Sequence, residues 1–477
     1  MMNTTPEMLY PIHNQQYKME EEPTLRVGVV LSEDQKTRLE FRTPPGVEYI
    51  VEGERDFLLP AGRDFHAESR VTADGSLGVI LSQGTHVLWE SKAGSPLVLV
   101  PRIEKQPRVP GMGLHVRNVV AGRGFHWIKE IDQFLPGKVE VQASSSSGYL
   151  LLINELSVED YLIGVITSEM SQDCPVEYMK AQAVAARSWL FAQRADLYPN
   201  DPFDVCNDDQ CQRYQGSEAW TPVAIRAIEE CAGETLLTSE NQYCDARYSK
   251  STGGISEDAI HVWHQNISGL EAMIDAPKGD PIERFFPITT ANLEEYLTGD
   301  WLAETKAYAS GNTVNEAELL RYLGRVDVAG EYFRWEVKLK QADLLKALGK
   351  RGGIPKVQEV VKLIPQERGR SGRIKTLCVE YRESAGGEIL QHTLKSEYAI
   401  RAGLSTSFLF SSCFVVRETK QEGLLESVTL VGAGWGHGAG LCQIGGLGRA
   451  LKGQSYKEIL LAYFANVRLE NIYTLTT

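Results

Sequence analysis

The apolar pattern of this chain changes period at Ser157. Upstream, the runs Leu25–Leu31, Val47–Val51, Gly78–Leu81, His86–Glu90, Ser95–Val100, His115–Val120, Phe125–Trp127, Lys138–Gln142 and Tyr149–Asn154 are strand-length, separated by Gly, Pro, Asp and Asn. From Ser157 to Met170 the period becomes helical, with Val158, Leu162, Val165 and Ile166 on one face. Ser157 predicts an N-cap, with Asp160 placed to reach back as a capping box. Ser171–Cys174 breaks this helix, and Pro175 suits the first position of a second, Ala-rich helix to about Leu197. Further helices are predicted at Pro222–Cys231, Leu293–Leu297, Gln341–Leu348 and Ser455–Phe464, and strands at Arg334–Leu339, Leu377–Tyr381, Ser427–Val431 and Val467–Thr474. The fold class is therefore mixed α+β.

The 477 residues carry 49 Lys plus Arg against 63 Asp plus Glu, a net charge of −14, which excludes a generic polyanion binder. No apolar run approaches the ~18 residues a membrane helix needs. Met1–Pro23 lacks the basic start, apolar stretch and cleavage site of a secretory signal. That predicts either a cytoplasmic protein or a chain without its export segment. Eight cysteines are too few for a disulfide scaffold. Residues 1–24 read as a polar segment, 25–110 as a β-rich N-terminal region, and 111–477 as the main domain, with Pro107–Gly113 as the junction.

Several side chains invite chemistry. Glu169 ends the amphipathic helix, where orphan carbonyls and the macrodipole disfavour a carboxylate and favour its acid. It reads either as a poised proton donor or as an ordinary solvated glutamate. Asp173 is a conceivable second carboxylate. Arg187, among alanines on the second helix, reads as a structural ion pair or as a guanidinium aimed into a cleft. Cys206 and Cys211 offer two zinc thiolates, with His261 and His264 as distant partners; a disulfide and two free thiols are the other readings. The glycine-dense Gly432–Gly448 fits G-x-G-x-x-A only weakly, because too little chain follows for a dinucleotide fold. Its glycines would instead let a ligand approach His437 and Gln443, or form a tight structural turn.

The order of the motifs says more than any one of them. Asn154-Glu155-Leu156-Ser157-Val158-Glu159-Asp160-Tyr161-Leu162, Ser168-Glu169-Met170 and Lys180-Ala181-Gln182-Ala183-Val184-Ala185-Ala186-Arg187-Ser188 resemble the core signature of the sporulation-stage-II protein D (SpoIID/LytB) family. Cys211-Gln212-Arg213-Tyr214-Gln215-Gly216, Tyr248-Ser249-Lys250-Ser251-Thr252-Gly253-Gly254 and Trp435-Gly436-His437-Gly438-Ala439-Gly440-Leu441-Cys442-Gln443 look like its later motifs. Gly453–Leu460 followed by Tyr463-Phe464 completes the set, and Arg401–Phe408 resembles a further family segment.

The resemblance implies a two-lobed domain with a central cleft, residues 269–418 supplying the second lobe. It also implies a peptidoglycan lytic transglycosylase that cuts between N-acetylmuramic acid and N-acetylglucosamine and leaves 1,6-anhydro ends. Glu169 would be the catalytic acid and base. Arg187, Gln212, Tyr214, Tyr248, Ser251, Gly253, Gly254, His437 and Gln443 would line the glycan cleft. No cofactor is required; a structural zinc on Cys206 and Cys211 is the one metal the family suggests, although the upstream His is missing here. The partners implied are glycan strands and a cell-wall amidase, outside the cytoplasm. The alternative function is a non-catalytic glycan-binding protein that enhances such an amidase.

Overall fold

Ser157 ends a strand and starts a helix in the computed structural model, which describes residues 18–73, 75–92, 94–103, 106–124, 128–324 and 330–473. Its hydroxyl accepts the Asp160 amide at 3.2 Å and caps α1, Val158–Glu169. The expected capping box is replaced by an ion pair: the Asp160 carboxylate accepts from Arg108 at 2.7 Å instead of turning back to the cap. α2 spans Val176–Leu197, with Pro175 at the N-cap, one place earlier than expected. α3 spans Pro222–Glu230 and is capped by the Thr221 hydroxyl. The expected strand at Phe125–Trp127 lies outside the described residues.

The β-rich N-terminal region is not a separate module, which corrects the boundary placed at 110. Thr24–Val30 pairs antiparallel with Leu150–Ser157, from Thr24 opposite Ser157 to Val30 opposite Leu152, and parallel with Val205–Cys206. The seven-stranded sheet continues through Lys138–Ala143, Leu97–Pro101, Tyr49–Glu52 and Phe57–Leu59. A six-stranded sheet runs Lys129–Leu135, Leu114–Ala121, Arg38–Arg42, Asp64–Val71, Leu77–Gln83 and His86–Glu90. Both sheets therefore combine strands from either side of residue 110. The physical reason is edge satisfaction: Thr24–Val30 is an inner strand whose backbone groups need partners on both sides.

The two sheets and α1–α3 share one core. Leu25, Phe41, Tyr49, Leu81, Leu99, Val116, Leu135, Leu152, Leu162, Ile166, Met179 and Leu190 are all buried in it. Each contributes about 1.5–3 kcal/mol by leaving water. Leu270, Phe285, Tyr296, Trp301 and Leu323 join the same core. A second core holds Trp335, Leu344, Leu363, Leu377, Ile400, Phe414 and Leu430. It is built on two three-stranded sheets, Arg334–Lys340 with Leu424–Ala433 and Phe414–Gln421, and Glu359–Arg368 with Ile374–Arg382 and Leu390–Lys395. The second lobe thus starts near Arg334, not at 269. No helix among the described residues is long and apolar enough to cross a membrane.

Candidate active site

Glu169 is the last residue of α1, and its side chain points inward; the residue is 7% exposed. Met170 turns out of the helix into extended backbone and pairs with Leu323, and the Ser171 amide donates to the Tyr322 carbonyl at 3.1 Å. The carboxyl is therefore fixed between the helix end and the chain segment that crosses it. Gln443 Nε2 donates to Glu169 Oε2 at 3.1 Å. Among the described residues this is the carboxyl's hydrogen bond, and Oε1 is left without a protein partner.

Gln443 is the first residue of the helix Gln443–Leu451 and is buried. The Cys442 thiol caps that helix by accepting the Gly445 amide at 3.2 Å. α1 ends in partial negative charge and the second helix begins in partial positive charge. The carboxyl sits at the first end and is bonded by a side chain of the second. Two phenols also lie in its field: burial pushes Tyr178 and Tyr248 well above the ordinary tyrosine value, and the Glu169 charge adds to this.

Two of the later motif loops pack against each other. Tyr248 and Ser249 pair in parallel with Leu441 and Cys442. The Ile444 amide donates to the Lys250 carbonyl at 3.1 Å, and the Thr252 amide to Cys442 Sγ at 3.3 Å. Ser251 is fully buried and exchanges backbone hydrogen bonds with Trp435 at 2.9 and 2.7 Å. Gly253 and Gly254 have φ of +74° and +103°, backbone that a side chain would strain. The Gly253 carbonyl accepts from Tyr296 Oη and from Arg334, each at 2.8 Å. Ser251, Gly253 and Gly254 thus shape the loop beneath Trp435 through backbone contacts.

His437, expected to line a cleft, is half-buried and has both ring nitrogens engaged. Its Nδ1 accepts the Ala439 amide at 3.1 Å, which makes Nε2 the protonated nitrogen that donates to the Tyr248 carbonyl at 2.9 Å. Both nitrogens are used, and Trp263 packs edge-on against the ring at 4.8 Å. Burial, with Arg247 and Arg401 nearby, lowers its pKa to about 3. Neutral His437 fastens the glycine loop to Tyr248.

Arg187, Gln212 and Tyr214, expected to line the same cleft, are interior residues. Arg187 has no exposed surface and makes a bidentate pair with Glu159, Nε to Oε1 at 2.9 Å and a second bond from the terminal nitrogen to Oε2. Gln212 donates to the Ala186 carbonyl at 3.0 Å, and Tyr214 to Asn154 Oδ1 at 2.8 Å, both buried. These side chains brace α1 and α2 from behind because the polar groups they satisfy lie inside. Asp173 is exposed and pairs with Arg321 at 2.8 Å, so it supplies no second buried carboxyl beside Glu169.

Cys206 and Cys211 sit with Leu31, Ile153 and Phe203, their sulfurs 3.3 Å apart. The hydrogen bond between the two sulfurs lowers the pKa of Cys206 to about 7 and raises that of Cys211. Among the described residues no third ligand joins them, and His261 instead faces Glu257 and Asp258. Two thiols without a His do not fit a four-coordinate zinc. The residues that sequence reasoning missed are Tyr178, which packs over Gly446, and Asp275, which lies beneath the Gln443 helix. Neither stands in a motif.

A cavity of about 280 Å³ lined by Glu316, Glu331, Arg334, Trp335, Glu336 and Val431 lies at the start of the second lobe, and Glu169 is not among its walls.

Residues 146–237 match the stage II sporulation protein family, and residues 290–440 match a domain of unknown function (DUF8618). The chain is 26% identical to an amidase enhancer of Bacillus subtilis over 314 residues, which cover 65% of this chain and 40% of that protein. It is 22% identical to the stage II sporulation protein D of Bacillus subtilis over 331 residues, 66% of this chain and 75% of that one. An uncharacterized protein of Brachyspira hyodysenteriae is 24% identical over 318 residues, 67% and 68% of the two chains. These matches, with the first and late motif blocks joined at Glu169 and Gln443, make the chain similar to SpoIID/LytB proteins, with the family model itself covering residues 146–237.

Proposed function

We propose that this protein is a peptidoglycan lytic transglycosylase of the cell envelope, with Glu169 as general acid and then general base. The observation that carries the reading is the hydrogen bond from Gln443 to one oxygen of a nearly buried carboxyl, whose other oxygen has no partner among the described residues. A single carboxyl suffices for this chemistry, whereas ordinary glycosidases use two.

Protonated Glu169 gives its proton to the glycosidic oxygen as the bond from the N-acetylmuramic acid C1 breaks. The resulting carboxylate takes the proton of that sugar's 6-hydroxyl, whose oxygen closes on C1. One carbon–oxygen bond breaks, one forms, Glu169 regains its proton, and no water is consumed. Gln443 holds the carboxyl in one orientation through both proton transfers and stabilises the charged form between them.

A second reading is an amidase enhancer that binds glycan without cutting it, favoured by the similarity to the Bacillus subtilis protein of that name. Purified protein incubated with glycan strands stripped of stem peptides separates the two. Transglycosylase action gives anhydro-ended fragments by mass spectrometry, Glu169→Gln gives none, and both proteins pellet with peptidoglycan. Pelleting with intact strands in both samples supports the enhancer instead.

A further inference from the structure

Asp275 is a fully buried carboxylate outside every motif block and outside the proton transfers above. Its Oδ1 accepts from Arg449 Nε at 3.1 Å and from the same guanidinium's terminal nitrogen at 3.0 Å. Its Oδ2 accepts from Tyr463 Oη at 2.7 Å. Arg449 belongs to the Gln443–Leu451 helix, and Tyr463 ends the helix Tyr456–Tyr463. The Asp275 amide donates to the Gly254 carbonyl at 2.8 Å, which ties the same residue to the Ser251–Gly254 loop. Its carboxylate and the Tyr463 hydroxyl also press directly on Gly445, leaving no room there for a side chain. Gly445 is two residues from Gln443, so the depth and rotation of the helix start are set by what lies under it.

We infer that Asp275 is a positioning residue, which seats the Gln443 helix so that the Gln443 amide reaches Glu169. This deepens the reading of Glu169 as the proton donor and rests on it. The carboxylate does not touch the reacting atoms. It acts through three connections to the final part of the chain, namely the Arg449 ion pair, the Tyr463 hydroxyl and the close contact with Gly445. Arg449 is itself held by Gln454 Oε1 at 3.2 Å and packed over the Tyr308 ring at 4.1 Å, so its place is fixed before Asp275 binds it.

The test combines a double-mutant cycle with crystallography. Asp275→Asn lowers kcat on stripped glycan about 10–100-fold with KM unchanged, by no more than Gln443→Ala does, because a shift of the order of 1 Å at a catalytic group costs that much. Gln443→Ala loses activity by itself, and adding Asp275→Asn to it causes no further loss, since the two act through one contact. The crystal structure of Asp275→Asn shows Gln443 Nε2 beyond about 3.5 Å from Glu169. If Asp275→Asn does not fold, Tyr463→Phe, which removes one hydrogen bond, is carried through the same cycle. Losses that multiply in the double variant, or a variant structure with the Gln443–Glu169 bond intact, overturn the inference. Wild-type protein that makes no anhydro ends overturns the Glu169 reading alone, and the crystal structure still decides Asp275.

Discussion

The two ends of α1 each bury a glutamate, and the two are treated oppositely. Glu159, 2% exposed at the start of the helix, accepts two bonds from Arg187, one from Tyr473 Oη at 2.8 Å and one from the Gly233 amide at 3.2 Å. Both of its oxygens therefore accept protein donors. Glu169, 7% exposed at the other end, accepts one bond among the described residues, from Gln443. Burial therefore does not distinguish the two carboxyls in this molecule. The separation comes from how many donors surround each: a saturated carboxylate cannot take or give a proton without breaking its network, and an under-partnered one can.

Four substitutions or conditions would break or sharpen that contrast. The largest effect is on turnover: Glu169→Gln lowers formation of anhydro ends by about 10²–10⁴-fold, the usual contribution of a general acid–base group, while thermal unfolding is little changed. Next, Glu159→Gln leaves Arg187 buried without its counter-charge and costs about 3–5 kcal/mol of stability, measured by denaturant unfolding. If Glu159→Gln were neutral for stability, the two ends would be alike and the contrast would collapse. Gln443→Ala comes third, with about a 10–100-fold loss of rate from removing a hydrogen bond to a charged group and little loss of fold.

A further effect is in pH dependence. His437, like Glu159, has all its hydrogen-bonding groups occupied, and it stays neutral in the folded protein down to about pH 3, whereas an unfolded histidine protonates near 6.5. Between those values the unfolded state binds more protons, so stability is present in full above about pH 6.5 and is lost as pH falls. The expected slope is about 1.4 kcal/mol per pH unit. Urea unfolding between pH 7 and 4 measures it, and His437→Gln removes this part of the slope. An unchanged slope would mean that the imidazole is not held neutral by burial and the neighbouring arginines.

How far the sequence reveals this arrangement depends on where each signal lies. The bounds of α1 are legible because Ser157 caps a clear change of period, and Glu169 and Gln443 are legible because their motif blocks occur in family order. The strands Arg38–Arg42, Asp64–Val71 and Lys129–Leu135 escape notice because they alternate charged with apolar residues; Arg38, Glu40 and Arg42 face outward while Leu39 and Phe41 are buried. Arg187, Gln212 and Tyr214 sit in motifs but brace the interior. A motif position alone does not say whether a side chain holds substrate or holds the helix that does. Asp275 carries no local pattern at all, since its importance comes from Arg449 and Tyr463, which are far along the chain and near only after folding.

The central claim is that Glu169 directs the sugar's own 6-hydroxyl, and not water, onto C1. Digestion of stripped glycan strands in water enriched in oxygen-18, followed by mass spectrometry of the new ends, tests it most directly. The account predicts anhydro ends lacking the heavy isotope, and none from Glu169→Gln. Reducing ends that carry oxygen-18, or equal product from Glu169→Gln, would contradict it.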